Sequence, residues 1–250
     1  MQVDVLTLFP GMFQGEKGPM NESMMWKAQD RGLMALRVHD IRDYSRDKHR
    51  SVDDTPYGGG GGMVLRPDVL VDAIETVRGP DTSVPVILMS PQGRRFSHAV
   101  AVKLAAHERL LLVCGHYEGV DERVRELVIT DEISIGDYVL TGGELAAMVV
   151  IDAVTRHIPG VLGAEGAEQR DSHADGLLEG PHYTRPALYR GLGVPDVLQN
   201  GNHAQIERWR RLQAIRRTWR QRPDLLMTAQ LSEDEQYELA RLADEDARRR

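Results

Sequence analysis

Ile135-Gly-Asp-Tyr-Val-Leu-Thr-Gly-Gly-Glu144 is the stretch on which the reading of this chain turns. It is a short apolar run that turns at glycines and opens directly into a long apolar helical pattern. Thr141 and Glu144 stand at Ser/Thr-x-x-Glu spacing, which predicts a capping box and a helix start there. Paired glycines ahead of a helix let the backbone approach a ligand that bulkier residues would push away. The glycine spacing is neither G-x-G-x-x-G nor G-x-x-x-x-G-K-[ST], so Rossmann and P-loop readings are both poor. Taken alone, the segment would be a tight turn between a core strand and a core helix.

Two further segments share its form. Pro85-Val-Ile-Leu-Met-Ser-Pro-Gln-Gly93 and Leu110-Leu-Leu-Val-Cys-Gly-His-Tyr-Glu-Gly119 are apolar runs that end in polar, glycine-bearing turns. Near-continuous apolar runs are expected of strands buried on both faces, as in a parallel sheet. Ligands of open α/β sheets gather outside the carboxyl ends of such strands. Three ends rich in Gly, Ser, Tyr and Glu therefore predict one shared pocket.

Working outward, Val3 to Leu8 reads as a first strand and Ala35 to Val38 as another, with a long polar loop from about Arg42 to Gly62. Pro67 is placed to start a helix through Val77, and Ser97 to cap one toward His107. Strands alternate with helices up to a helix from Gly142 to His157, the pattern of a three-layer α/β domain. Pro159 to Pro181 is glycine-rich with little periodicity, and a connection of that length is usually functional or disordered. Beyond it, Asn202 with Gln205 and Ser232 with Glu235 have capping-box spacing and open helices. The fold class is α/β followed by a small all-helical domain.

The 250 residues are 41% hydrophobic, enough for a real core, and carry a net charge of −7. That sum hides a local field: His203 to Arg222 holds seven arginines against one acid, Glu207, with Trp209 and Trp219 interleaved. Such a stripe can grip phosphates, although the tryptophans read more simply as core. The single cysteine, Cys114, excludes an internal disulfide framework and lies in an apolar run, where it reads as a packing residue. His116 and His182 show no metal-ligand spacing with it, so no metal site is expected. No run reaches membrane-spanning length and the amino terminus lacks a signal pattern, so a soluble, cytoplasmic protein is expected, with no membrane partner.

Leu6-Thr-Leu-Phe-Pro10, Val52-Asp-Asp-Thr-Pro-Tyr-Gly-Gly-Gly60, Gly115-His-Tyr-Glu-Gly-Val-Asp-Glu-Arg123 and Ile135 to Glu144 occur in that order. Arg170-Asp-Ser172, Leu177-Leu-Glu-Gly-Pro-His-Tyr-Thr-Arg-Pro186 and Gly201-Asn-His-Ala204 follow. This series closely resembles the bacterial tRNA (guanine-N1)-methyltransferases that modify guanosine 37 beside the anticodon, members of the SPOUT class of knotted methyltransferases. Two positions depart from that pattern: Gly58 to Gly62 is unbroken glycine, and His173 stands where Phe is common.

The resemblance implies S-adenosyl-L-methionine as methyl donor, a carboxy-terminal trefoil knot in the α/β domain, a tRNA partner with guanosine at position 37, and a homodimer whose active site lies at the subunit interface. It implies an α/β domain at 1–160, a linker with the catalytic aspartate at 161–176, and a tRNA-binding domain at 177–250. The cofactor would be held by Leu88, Met89, Ser90 and Pro91, by Gly115, Tyr117, Glu118 and Gly119, and by Ile135, Gly136, Asp137, Tyr138, Val139, Leu140, Gly142 and Gly143. Asp171 matches the general base that takes the N1 proton, and Arg156 the group that stabilises charge at O6. Glu118 belongs to the same catalytic set, with its contact open among cofactor, substrate and interface. The tRNA would be met by Asp53, Tyr57, Gly58, Gly59, Ser172, His182, Arg185, Arg208, Arg211 and Arg217. Dependence on Mg2+ is not readable from the sequence. Two other readings compete: the same cofactor pocket acting on another RNA base, and a non-catalytic RNA-binding protein. Asp171, Arg156 and the intact pocket motifs argue against the second; Asp171, the Val52–Gly60 motif and the helical domain argue against the first.

Overall fold

Alternation along the first strand sets up both faces of a sheet. Val3 and Val5 belong to one apolar cluster and Leu6 and Leu8 to another, as successive side chains of a strand point to opposite faces. The computed structural model describes residues 1–15, 18–163 and 166–248. In chain order the α/β part comprises β1 (Gln2–Thr7), α1 (Gly11–Gln14), α2 (Ser23–Asp30), β2 (Ala35–Asp40), β3 (Asp53–Asp54), β4 (Val64–Leu65) and α3 (Pro67–Arg78). It continues with β5 (Val86–Arg95), α4 (His98–Ala105), β6 (Arg109–Cys114), α5 (Glu122–Val128), β7 (Asp131–Ser134) and α6 (Glu144–Thr155).

The main sheet is parallel throughout, in the order β2-β1-β6-β5-β7. Val5 lies opposite Val38 on one side and Leu112 on the other, and Leu88 opposite Val113 and Glu132. Helices α2, α4 and α6 cover the face bearing Val3, Val5 and Leu112, and α3 and α5 cover the face bearing Leu6, Leu111 and Val113. Both faces are dry, which explains the near-continuous apolar strands. Asp4 is buried among them at 1% exposure. Burial alone would raise its pKa, but hydrogen bonds from His39, Gln2 and Arg109 outweigh burial and hold it below the ordinary value.

Two local expectations change. Helix α6 begins at Glu144, but the predicted capping box is not formed: Gly143 is the N-cap, and Glu144 is buried with Oε1 accepting from Thr7 Oγ1 at 2.7 Å. The carboxylate is used to fasten the helix start to the end of β1 rather than to cap its own turn. Ser97 precedes α4 but makes no side-chain cap. Every strand of the sheet except β7 was outlined in the sequence. There the strand ends at Ser134, so the quoted stretch from Ile135 is irregular until α6.

The chain forms two compact units, residues 1–165 and 166–250. The second contains β8 (Leu188–Tyr189), β9 (Leu192–Gly193), α7 (His203–Gln221) and α8 (Glu233–Ala247), around Leu177, Ile215 and Leu242. It is therefore not all-helical: β8 and β9 pair antiparallel across Arg190-Gly191, both with positive φ (50° and 81°). Such a two-residue turn calls for left-handed backbone at both positions, and Arg-Gly is not among the pairs that announce it in sequence. Ser232 and Glu235 form the full capping box at α8, and the Asn202 side chain caps α7 through the Gln205 N–H. The latter part of the glycine-rich connection is not structureless. Leu178 N–H donates to Thr218 Oγ1 at 2.9 Å, and Arg217 donates to Glu179 O and Gly180 O.

Candidate active site

Since β6, β5 and β7 are neighbours, their carboxyl ends open on one cleft, with about 220 Å³ of space. Every position assigned to the cofactor in the sequence lines it except Asp137, which is exposed. The walls come from three places: the end of β5 at Leu88 to Gln92, the turn after β6, and the irregular run from Ile135 to Gly143. His116, Val120, Arg125, Ser134 and Ala146 also line it and were not anticipated. The first two were in plain sight within a quoted motif. Arg125 sits on α5 away from any motif, and nothing in one sequence marked it.

The third wall is pinned to the second. Gly143 N–H donates to Gly115 O at 2.8 Å, and His116 bridges Gly142. A Cβ on Gly143 would stand 2.8 Å from Cys114 Cα and 3.0 Å from Gly115 N, so only glycine fits between this loop and β6. Beneath it Cys114 is fully buried, and burial followed by the nearby Glu144 pushes its thiol pKa well up, as suits a packing residue. The His116 ring lies 4.9 Å from both Phe9 and Tyr117, and its buried Nδ1 has no hydrogen-bond partner.

Glu118 joins the cleft to the long glycine loop. Its backbone N–H donates to Met63 O at 3.0 Å, and Leu65 N–H donates to Gly119 O at 3.0 Å. Its side chain lies over Gly62, where a Cβ would be 2.4 Å from Oε1 and φ is +83°. Asp53 sits in β3, and the loop from Tyr57, which is fully exposed, through Gly58 and Gly59 projects between β3 and β4. The polar turn and the glycine loop are thus one assembly.

A methyl donor made of adenine, ribose and sulfonium needs apolar surface for the base, backbone groups for its edge, and negative charge near the sulfonium. The cleft provides Met89 and Leu140 as apolar walls and Glu118 as a carboxylate. Among the described residues, the backbone N–H groups of Ile135, Val139 and Leu140 make no hydrogen bond, leaving donors for a ligand edge. These residues fit the cofactor. No cluster of three His, Cys, Asp or Glu suited to a metal ion occurs among the described residues.

The remaining assigned positions divide between the units. Arg156 is the C-cap of α6 in the first. Asp171 follows a short 3-10 turn (Ala167–Arg170) in the second, where it lines a cavity of about 490 Å³ together with Arg170, Glu179, His182 and Arg210. Ser172 Oγ accepts from Glu179 N–H, and Glu179 pairs with His182 at 2.7 Å. Of the three α7 arginines assigned to the tRNA, Arg208 is exposed and makes no hydrogen bond or ion pair among the described residues. Arg185 is also exposed. Arg211 instead pairs with Asp175 and with Glu235, the latter at 2.7 Å, and Arg217 is spent on two carbonyls. The arginine stripe is therefore partly internal bracing, because α8 lays its acids against it. Trp219 packs on the Ile215 cluster and donates to Asp246, while Trp209 is half-buried with Tyr183 6.3 Å away.

A family model described as tRNA (Guanine-1)-methyltransferase TrmD matches residues 1–228. A tRNA (guanine-N(1)-)-methyltransferase of Dehalococcoides mccartyi is 60% identical over 233 residues, 93% of each chain. Proteins of the same name from Geobacter sulfurreducens and Moorella thermoacetica are 56% and 55% identical over 242 and 251 residues, covering at least 97% of both chains. No helix among the described residues is long and apolar enough to cross a membrane.

Proposed function

Because the chain belongs to the tRNA (guanine-1)-methyltransferase family of the SPOUT class, we propose that the cleft at the ends of β5, β6 and β7 is its methyl-donor site and that Asp171 and Arg156 perform the chemistry. Membership carries with it the knotted fold and the activity: the enzyme methylates N1 of a tRNA guanine beside the anticodon, using S-adenosyl-L-methionine. The observation that carries the site assignment is the convergence of nearly all expected cofactor positions on one cleft.

N1 of guanine is a weakly acidic ring nitrogen, and removing its proton moves negative charge to O6. Asp171 accepts that proton, and Arg156 faces the developing charge with its guanidinium. The bound donor supplies a methyl group on a positively charged sulfonium. The irregular Ile135–Leu140 backbone and Gly142–Gly143 hold its adenosyl part, and Glu118 offers a carboxylate toward its positive end. Orientation of this kind accounts for much of the rate, since two reactants are held at contact distance. Asp53, Tyr57, Gly58 and Gly59 bring the glycine loop to the substrate. Ser172, His182, Arg185 and Arg208 meet the tRNA, and residues 161–176 link a methyltransferase domain to a tRNA-binding domain at 177–250.

The same reading makes the protein a homodimer in which Asp171 serves the partner's cleft. In support, Leu145 and Val149 lie one turn apart on α6 and are 53% and 47% exposed, and Val139 in the run before α6 is 81% exposed. Exposed apolar residues one turn apart on a largely buried helix are suited to an isologous contact. A tRNA substrate sets the work in the cytoplasm, and position 37 is the guanosine taken.

The test is methyl transfer to a defined tRNA transcript with guanosine 37, followed by mapping of the modified atom. Asp171→Asn keeps size and hydrogen-bonding reach but cannot take the proton. Its single-turnover rate should drop by the ~10²–10⁴-fold typical of general-base loss while cofactor and tRNA binding persist. A normal rate in Asp171→Asn, or label on an atom other than N1, removes the assignment.

A further inference from the structure

Arg125 belongs to no motif, yet its guanidinium reaches two walls of the cleft and the strand that leads into the third. It projects from α5, and its side chain is 20% exposed. Nη1 donates to Val120 O at 3.4 Å and to Glu122 Oε2 at 3.0 Å. Nη2 donates to Gln92 Oε1 at 3.4 Å, and Nε donates to Glu132 Oε1 at 3.3 Å. Gln92 lies in the part of β5 between Met89 and Arg94, where the pairing with β7 shifts register and Ile133 is matched to both residues. Val120 closes the polar turn after β6, and Glu132 precedes the cleft-lining Ile133 on β7.

We propose that Arg125 is a positioning residue for methyl-donor binding: it holds the β5 excursion, the turn after β6 and the end of β7 at the spacing the cofactor requires. The proposal rests on the reading of the cleft as the S-adenosyl-L-methionine site. None of its contacts is strong alone. Glu122 is 72% exposed, and an ion pair of that kind contributes little. Glu132 is 24% exposed and is the firmer anchor. What matters is that one rigid planar group with five donors in fixed directions serves three separate chain segments at once. Without it, each segment must be ordered by the ligand itself, and that ordering is subtracted from affinity. An ammonium is a compact point charge and cannot hold three directions together.

Calorimetry with S-adenosyl-L-homocysteine on the full-length protein tests this, alongside single-turnover methylation at saturating cofactor. In Arg125→Ala the Kd should rise about 5- to 30-fold, with the saturated rate and the tRNA affinity at their wild-type values. Arg125→Lys should not restore affinity. Gln92→Ala should raise Kd less, and its effect should largely vanish in the Arg125→Ala background, because residues in one network are not additive. Gln92 is exposed, so its replacement leaves the fold intact. If Arg125→Ala does not fold, unchanged Kd in both Gln92→Ala and Arg125→Lys overturns the proposal. It is equally overturned by an unchanged Kd in Arg125→Ala, by full rescue with lysine, by additive effects of the pair, or by a lost saturated rate at normal Kd. Failure of the wild-type protein to bind S-adenosyl-L-homocysteine refutes the cleft assignment itself, an outcome distinct from wild-type binding that the variants do not alter.

Discussion

Replacing Gly143 by alanine should disturb the cleft and the fold together, by an amount that can be worked out. The added Cβ would lie 2.8 Å from Cys114 Cα, 3.0 Å from Gly115 N and 3.1 Å from Met89 Cβ. Carbon atoms at rest sit roughly 3.5–4.0 Å apart, so the loop or the sheet must give by more than half an ångström. Cys114 and Met89 are both buried and paired with each other across β6 and β5, which leaves the loop to move. Overpacking of this kind costs about 1–3 kcal/mol, and loss of the Gly143 N–H to Gly115 O bond adds about 1 kcal/mol. A total near 2–4 kcal/mol corresponds to a fall in melting temperature of roughly 4–16 °C for a chain of this size. The backbone φ at Gly143 is −79°, so no conformational strain contributes and the whole effect is steric. Cofactor affinity should drop at least ~10-fold, since a site loosened by ~0.5 Å no longer holds its ligand in register. Thermal scans and calorimetry on Gly143→Ala measure both, with Gly11→Ala as the control because nothing lies within 4 Å of a Cβ there. Wild-type melting and wild-type affinity in Gly143→Ala would show that the loop does not rest on β6 as described.

Arg208→Ala should weaken tRNA binding and reduce the slope of log K against log salt by about 0.7–0.9, the share of one phosphate contact. Arg211→Ala should instead lower stability with little change of slope, and a reversed pattern in filter binding would exchange their roles. Mixing an Asp171→Ala chain with a Gly143→Ala chain should regenerate one working site per heterodimer; no regained activity after proven subunit exchange argues for sites made within one chain. The Glu238 carboxyl, bonded by Arg241 at 2.7 and 2.9 Å and, against the opposing effect of burial, by Arg216 at 2.7 Å, is lowered from 4.5 to about 2. A depressed acid stabilises the fold above its unfolded pKa and loses that contribution as pH falls from about 4.5 toward 2. With screening of the exposed Arg241 the effect is ~1 kcal/mol rather than the ~3 kcal/mol of the full shift. Denaturant curves of wild type and Glu238→Gln should therefore converge as pH falls from about 4.5 toward 2; a pH-independent gap refutes the pairing.

The strands with unbroken apolar runs were legible because burial on both faces leaves its mark on composition, and Pro67 announced α3 by its fixed φ. The cleft was legible for a related reason: glycines cluster where the backbone must pass close to something, as Gly143 does against Cys114. What sequence could not reveal was choice among partners. Glu144 has the spacing of a cap but lies 137 positions from Thr7, the hydroxyl it accepts from. Arg211 and Arg208 read alike along the helix, and only the approach of Glu235 and Asp175 separates the brace from the free cation. Arg125 was invisible because its partners arrive from two strands and a turn. Local pattern reports faces and turns; long-range pairing of polar groups is decided by topology.

The strand order has a consequence for how the molecule comes into being. β1 lies between β2 and β6, so one edge of β1 waits for a neighbour that begins only at Arg109. At ~5–20 residues per second of synthesis, that edge stands open for roughly 5–20 s, and parallel pairings between distant segments close slowly even afterwards. The cleft needs still more, since its last wall is fastened by Gly143. If the cleft is the methyl-donor site proposed above, the nascent enzyme can hold no donor until synthesis has passed Gly143, and ligand capture then follows completion of the sheet.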